Sequence, residues 1–304
     1  MDNVSVITIF YFSGLSETMN YRSVLFFLSL LCYCVILLVN IILIATIILD
    51  KNLHEPMYIL LCAFCMNGVY GSTGFFLRFL WDLLSPVHVI SYSGCIVQGL
   101  VIHSFVSSDL SFLAVMAYDR YLAICRPLQY HSIMSKQRVV KLVCFSWLTP
   151  LCVLGTNFFL TSRLKLCSPY IARLFCVNWI IVTLACFPAN DGNNIVAHIS
   201  ILFYVFHGVF IVWSYIYIIR TCVNSIENRA KFMQTCVPHL FSLITFLFTV
   251  LFDIMNIRFG SKTLPQSLEN FIAVEFLVIP PLMNPLIYGF KLTKIRNRLH
   301  KLLL

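Results

Sequence analysis

Seven long apolar stretches, separated by polar connections, constrain this chain more than any other feature of its sequence. They cover residues 24–49, 57–81, 95–124, 139–160, 195–221, 237–257 and 268–288. A helix of roughly 20 apolar residues crosses the hydrocarbon core of a bilayer. Of the 304 residues, 60% are hydrophobic and 11% are charged, and a soluble protein could not cover so much apolar surface. We therefore predict an all-α membrane protein, a seven-transmembrane helix bundle that forms a single domain over residues 1–304.

The basic residues predict the orientation of these helices. Lys and Arg gather in connections on one side of the bundle, and the positive-inside bias makes that side cytoplasmic. Residues 1–23 then form an extracellular N-terminus, residues 161–194 a long second extracellular loop, and residues 289–304 a cytoplasmic tail. The net charge of +9 follows from this topology and from contact with anionic lipid headgroups. We expect the lipid bilayer to be a partner and nucleic acid not to be one.

Both ends of the chain carry further signals. We expect no cleavable signal peptide, because residues 1–20 have no Lys or Arg ahead of their apolar run. Asn3 begins a glycosylation sequon on the predicted outer side. In the tail, basic residues alternate with apolar ones, which predicts a short amphipathic C-terminal helix on the inner membrane surface.

Most of the 13 cysteines lie inside apolar windows, where Cys behaves as a small hydrophobic residue. Cys62 and Cys65 form a CxxC motif, which we interpret as helix packing and not as a metal or redox site. Four others are predicted to lie on the oxidising outer side, where disulfides persist: Cys95, Cys167, Cys176 and Cys186. Four cysteines allow three pairings, so counting alone does not give the connectivity.

Two sequence runs carry the strongest functional signal. Residues 116–125 read MAYDRYLAIC and residues 281–288 read PLMNPLIY. Alone, Asp119 and Arg120 would be an ordinary solvated helix end. Together the two runs resemble the MAYDRYVAIC and PMLNPxIY signatures of odorant receptors, a branch of the rhodopsin-like (class A) G-protein-coupled receptors.

The resemblance continues along the chain in the same order. Residues 53–58, LHEPMY, are similar to LHxPMY, and residues 235–240, TCVPHL, are similar to TCxxHL. Ser214 and Tyr215 match at the inner end of helix five. Residues 67–71 and Arg78 look more like the odorant receptors of fish, although Arg78 and Asp82 also have the i,i+4 spacing of an ion pair on one helix.

The resemblance implies a role in activation for the positions that match the family motifs. In the family, the arginine that matches Arg120 is held at rest by its neighbouring acid, here Asp119, and meets the G protein when helix six moves outward. A guanidinium suits this exchange because its planar fork keeps its charge while changing partners. The G-protein coupling set implied here is Asp119, Arg120, Tyr121, Tyr215, His239, Asn284, Pro285 and Tyr288.

The resemblance also implies two disulfides. Cys95 matches the cysteine that is tied to the second outer loop across the superfamily, with Cys176 as its partner. Cys167 and Cys186 are then left for a second bridge. Bridges of this kind would hold the loop as a lid over the bundle.

Asp109 is the acid to explain in helix three, because an ionisable group inside a membrane is costly and suggests a function. It matches an acidic position in odorant receptors. Helix two has no Asp or Glu between residues 56 and 81, so Asp109 is a candidate anchor for a polar network with Asn67, Asn284 and a sodium ion. A protonated, hydrogen-bonded Asp109 is the alternative.

The family's ligand pocket lies between helices three, five, six and seven, beneath the lid. Mapped onto this chain, it gives Gly99, Ile102, His103, Val106, Ser107, Ser200, Phe203, Val250, Ile254 and Leu277. Most are apolar, as in small-molecule sites generally, so we expect a small, largely apolar odorant. For His103 a side chain satisfied within the protein is the alternative. One departure from the family is residues 246–248, which read FLF where many members have FYG.

Other functions fit the sequence less well. A transporter or channel would be expected to show internal repeats or several polar groups along a pathway, and an enzyme would need a nucleophile or acid-base constellation. An amine receptor would be expected to have an acid near Ile102, and an opsin a lysine in helix seven. We therefore expect a plasma-membrane odorant receptor that has no cofactor and activates a heterotrimeric G protein of the olfactory Gs type, raising cyclic AMP.

Overall fold

The structure is a computed structural model that describes residues 7–14, 21–187, 191–223, 226–259, 265–292, 294–296 and 298. Seven long helices dominate it, and each is long and apolar enough to cross a membrane. In chain order, helices one to seven are Arg22–Leu49, Pro56–Leu84, Tyr92–Cys125, Lys136–Thr161, Asp191–Val223, Ile226–Phe259 and Gln266–Lys291. The predicted seven-helix membrane fold is therefore confirmed.

Local sequence explains several of the helix ends. Helix two begins at Pro56, whose missing N–H costs nothing in the first turn. Helix three begins after Ser91, whose hydroxyl accepts a hydrogen bond from the backbone N–H of Gly94 at 3.1 Å, which satisfies one of the free donors at the helix start. Helix five begins at Asp191, four residues before the predicted apolar window, because a polar first turn adds little to a hydropathy signal.

The outer surface of the bundle is apolar. Large side chains such as Leu31, Val209 and Phe248 are more than 60% exposed. So large an exposed apolar surface would be unfavourable in water, whereas contact with lipid is favourable for it. Helix three is the opposite case, since 72% of its spanning window is buried inside the protein, so it forms the centre of the bundle.

Close contacts tie helices one, two, three and seven together. Gly71 of helix two faces the ring of Phe105, where an added Cβ would come within 2.1 Å of a ring carbon. The amide of Asn40 donates to the backbone oxygens of Ile36 and Pro281, both at 2.8 Å. Because Pro285 follows one turn after Pro281 inside helix seven, the Asn40 contact supports the segment that prolines weaken.

A small sheet covers the end of the bundle that carries the disulfides, which we call the disulfide end. The strands β1 (Ile9–Phe12), β2 (Val89–Ser91) and β3 (Tyr170–Ile171) follow the order β2-β1-β3. Strand β1 is antiparallel to β2 and parallel to β3. Buried Phe10 and Phe12 alternate with exposed neighbours, so the N-terminal segment adds to the lid. This sheet was not predicted from the sequence.

Ion pairs hold both ends of the bundle. Arg78 pairs with Asp82 at 2.7 Å, and it also donates to the backbone oxygen of Val89 in β2. At the opposite end, which we call the Arg120 end, Lys294 of the tail contacts Glu55 at 2.8 Å. The hydrogen bond to Glu55 raises the pKa of Lys294. Residues 294–296 and 298 are helical; the rest of the predicted amphipathic helix beyond Leu292, and the sequon at Asn3, lie outside the described residues.

Candidate functional site

A cavity of about 260 Å³ lies beneath the lid at the disulfide end. Its wall is formed by side chains of helices three to seven and of the second outer loop. They are Ile102, His103, Val106, Leu154, Asn157, Phe175, Val177, Asn178, Trp179, Ala197, Ser200, Ile201, Tyr204, Val250, Asp253, Ile254, Ile257 and Phe276. Most are apolar, and a few polar groups interrupt them, as in small-molecule sites generally.

Six of the ten predicted pocket residues line this cavity: Ile102, His103, Val106, Ser200, Val250 and Ile254. The other four do not, for different reasons. An added Cβ at Gly99 would meet the Phe158 ring at 2.7 Å, so Gly99 faces helix four, while Leu277 is fully buried in an apolar cluster. Ser107 lies behind Tyr204, with 2.6 Å between their hydroxyl oxygens. Phe203 packs on the His207 ring at 4.1 Å.

Two disulfides hold the lid, and they are the two that the resemblance implies. Cys95 of helix three bonds to Cys176, and the backbone N–H of Cys176 donates to Gln98 at 3.2 Å. Phe175 and Val177 flank Cys176 in the sequence and both line the cavity. The bridge therefore fixes the roof of the cavity to the central helix. The second bridge, Cys167–Cys186, closes the loop on itself.

His103 has a hydrogen-bond partner within the protein, and it also lines the cavity. Its Nδ1 lies 2.8 Å from the backbone oxygen of Gly99, and because a carbonyl only accepts, Nδ1 donates this hydrogen bond. Its ring packs edge-on against Phe158, and it still lines the cavity. His103 is thus satisfied within its helix on one side and available to a ligand on the other.

A buried ion pair beside the cavity was not predicted from the sequence. Arg173 of the second outer loop donates to Asp253 of helix six at 2.9 Å, and their side chains are 5% and 8% exposed. Asp253 lies within the sixth apolar window, so the rule that an intramembrane acid suggests a function could have found it. Its partner is 80 residues away, and no local pattern indicates such a pair.

Asp109 lies in a hydrogen-bonded network at the middle of the bundle. The amide of Asn67 donates to Asp109 at 2.7 Å and to the Phe105 backbone oxygen at 2.9 Å. Trp147 of helix four donates to Asn67 Oδ1 at 3.0 Å. Because an indole N–H can only donate, it fixes the amide with its nitrogen towards Asp109. Asn67 thus offers Asp109 a donor where a sodium ion would need an oxygen, which favours the hydrogen-bonded alternative for Asp109.

Replacing Trp147 with phenylalanine should lower stability, because the Asn67 oxygen would lose its donor in a buried position. The expected loss is about 1–3 kcal/mol, seen as a lower Tm of the purified protein in detergent. The ring contact with Phe112 is one that a phenylalanine keeps. Trp81→Phe on the lipid face, where Trp81 is 65% exposed, is the matched control. Equal Tm values for the two variants would show that the Trp147 hydrogen bond contributes nothing to stability.

At the Arg120 end, the predicted acid and base form a buried contact. Arg120 Nη2 lies 3.3 Å from Asp119 Oδ2, and the hydroxyl of Tyr130 donates to the other carboxylate oxygen at 2.7 Å. Burial, and then the negative charge of Asp119, raise the pKa of Tyr130, so the phenol stays protonated and keeps donating at neutral pH. Asp119 is thereby held from two sides, and Arg120 is held by Asp119.

The other predicted activation residues are buried in helices three, five, six and seven. His239 of helix six bonds to the Tyr215 hydroxyl of helix five and to the Leu113 backbone oxygen of helix three, the latter at 3.0 Å. Asn284 and Tyr288 of helix seven are buried, and Tyr121 packs against Trp213 with ring centroids 5.3 Å apart. His239 therefore joins three helices within one hydrogen-bonded group.

The FLF segment gives the cavity no polar floor. Phe246 is buried in the apolar core, while Phe248 points outward and is 63% exposed. In the part of the chain that the structure describes, no group of three or more His, Cys, Asp or Glu side chains is placed to hold a metal ion. The polar chemistry of the site lies in the cavity wall and in the groups around Arg120.

Comparison with known proteins agrees with this arrangement. The sequence model of a family described as olfactory receptor matches residues 28–304. Human olfactory receptor 13F1 is 31% identical over 99% of this chain and 95% of its own length. Mouse olfactory receptor 5AR1 is 33% identical over 99% of this chain and 97% of its own length. Human olfactory receptor 2C3 is 33% identical over 99% of this chain and 94% of its own length.

Proposed function

The chain belongs to the olfactory receptor family, which is a family of receptors and not of enzymes, and we propose that it detects a small odorant and activates a G protein. The observation that carries this proposal is the cavity beneath the Cys95–Cys176 bridge. It is small and mostly apolar, which suits a volatile organic molecule. The proposed location is the plasma membrane, with the disulfide end outside the cell and the Arg120 end in the cytoplasm.

Helix six offers a physical connection between the cavity and the G-protein side. Val250 and Ile254 line the cavity, and His239 of the same helix bonds to helices three and five. Val250 and His239 are separated by 11 residues, which is about 16 Å along a helix. An odorant that binds more tightly when helix six is displaced shifts the population towards that state, and His239 then leaves its partners.

The displaced state exposes Arg120 to the G protein. In the resting arrangement Arg120 is 5% exposed and its guanidinium contacts Asp119. Loss of the Tyr215–His239 contact would open the region between helices three and six, so that the guanidinium can exchange Asp119 for a group on the G protein. We propose that this G protein is of the olfactory Gs type and that cyclic AMP rises.

The test is an odorant screen in cells that express the full chain together with a cyclic-AMP reporter. We expect at least one small, largely apolar odorant to raise cyclic AMP in a dose-dependent way, with no response in cells that lack the receptor. A calcium reporter in parallel identifies coupling to other G proteins. Odorant responses seen by calcium and never by cyclic AMP would contradict Gs coupling, and a surface-expressed receptor that answers no odorant would contradict the proposed function.

A further inference from the structure

The acid in the cavity wall has an unusual setting. Asp253 lines the cavity, whereas its partner Arg173 does not. Arg173 contacts one carboxylate oxygen, Oδ1, at 2.9 Å. A carboxylate has about four acceptor positions on its two oxygens, so this one contact leaves most of them available to a ligand. A ligand in the cavity therefore meets the acceptor of the ion pair and not its donor.

Two further polar groups of the wall also present acceptors. Since Nδ1 of His103 donates to Gly99, Nε2 of the neutral ring carries a lone pair. The amide of Asn178 donates to Asn157 at 3.1 Å, while its own oxygen is buried without a hydrogen-bond partner among the described residues. An unpaired buried acceptor is costly, and a ligand hydroxyl can remove that cost.

We propose that the odorant of this receptor is an alcohol whose hydroxyl donates a hydrogen bond to Asp253. This inference rests on the proposed function and adds the chemical class of the ligand. An ether, ketone or ester of the same size can only accept, so it would donate no hydrogen bond to the remaining acceptor positions of Asp253. A carboxylate would be repelled by the charge of Asp253. The apolar body of the alcohol would lie against Val106, Val250 and Ile254.

The ion pair itself favours an alcohol over an amine. Arg173 and Asp253 are almost fully buried and neutralise each other. An ammonium group would add a second positive charge beside one carboxylate, and a buried charge without its own partner is expensive. A neutral hydroxyl adds a hydrogen bond without changing this balance.

The test compares molecules of equal chain length in the cyclic-AMP assay: straight-chain alcohols of six to ten carbons, their methyl ethers, the matching acids and the matching amines. We expect the best alcohol to be on the order of 10-fold or more potent than its ether, the usual worth of a hydrogen bond to a charged group. An ether as potent as its alcohol would overturn the inference. An amine or an acid more potent than the alcohol would overturn it too, and would assign the cavity to that class instead.

A paired variant tests the residue. Arg173→Met combined with Asp253→Leu removes both charges together, which avoids leaving one of them buried alone. We expect it to bring the alcohol-to-ether potency ratio to about one while responses to ethers persist. The matched control is Arg78→Met with Asp82→Leu, which removes an ion pair outside the cavity wall and should leave the ratio unchanged. An unchanged ratio in the Arg173 and Asp253 variant would refute the role of Asp253.

The outcomes separate this inference from the proposed function. A receptor that responds to odorants, and for which ethers are as potent as alcohols, refutes this inference and leaves the proposed function standing. A receptor that reaches the surface and responds to no odorant refutes both. Should the paired cavity variant fail to reach the surface, Asp253→Asn is the second variant, because the amide keeps an acceptor for Arg173 and loses the charge. We expect the alcohol-to-ether ratio to fall with it, and an undiminished ratio would count against the inference.

Discussion

Arg120→Ala should reduce odorant-dependent G-protein activation at least about 10-fold. This reduction is within the 5–150-fold range that is typical of coupling between distant sites. The guanidinium of Arg120 is buried against Asp119, and we propose that it provides the contact with the G protein in the active state. Alanine offers no donor in either state. The measurement is the maximal cyclic-AMP response to a fixed odorant, corrected for receptor at the cell surface.

Two companion variants control this result. Lys141→Ala removes an exposed basic residue near the same end of the bundle and should leave the response unchanged. Asp119→Asn weakens the restraint on Arg120 and should raise the response without odorant. Full odorant responses in an Arg120→Ala receptor at normal surface levels would refute the coupling role of Arg120.

Cys176→Ser should cause the second large effect, on both surface expression and odorant response. The Cys95–Cys176 bridge joins residues 81 apart in the sequence, whereas Cys167–Cys186 joins residues 19 apart. By loop-closure entropy, the bridge that closes the longer loop stabilises the fold by about 4.5 kcal/mol and the bridge that closes the shorter loop by about 3 kcal/mol. Loss of the first bridge also frees Phe175 and Val177 from the cavity roof, so the odorant response should fall more than surface expression does.

Cys167→Ser and Cys152→Ser provide the comparison. Cys152 is a free, exposed cysteine on helix four, and its replacement should change neither quantity. Cys167→Ser should lower surface expression less than Cys176→Ser and should largely keep the response of those receptors that reach the surface. A Cys167→Ser receptor that is impaired as much as the Cys176→Ser receptor would contradict this account of the lid.

The long helices and the family motifs were predictable because their signals are local. A spanning helix needs a continuous apolar run, and such a run stands out against polar connections such as residues 126–135. The run at residues 116–125 indicates the family because it is one contiguous motif. The Cys95–Cys176 pairing came from that resemblance, since counting cysteines leaves three pairings open.

The three-stranded sheet was not predictable for a physical reason. Strand β1 has four residues, β2 has three and β3 has two, and alternation over so few residues is too short to distinguish from chance. The strands come from three separate segments of the chain. Phe10 packs in one buried cluster with Cys95, Ile171 and Cys176, and such long-range packing cannot be read from a window of sequence.

The cavity wall was predictable in part. Helical spacing places Gly99 and His103 on one face, but helix three is surrounded by protein, so the same face meets helix four at Gly99 and the cavity at His103. The Arg173–Asp253 pair joins a loop to a helix across 80 residues. Long-range contacts of this kind carry the specific chemistry of the site, and hydropathy does not report them.

The central claim, that an odorant in this cavity drives nucleotide exchange at the Arg120 end, is tested most directly by odorant-dependent nucleotide exchange on a Gs-type protein in receptor-containing membranes. Val106→Trp fills the cavity, and Val209→Trp places the same side chain on the lipid face, where Val209 is 63% exposed. We predict that Val106→Trp abolishes odorant-dependent exchange and keeps the basal rate, while Val209→Trp behaves as the unmodified receptor. Equal odorant-dependent exchange by the two variants would contradict the account.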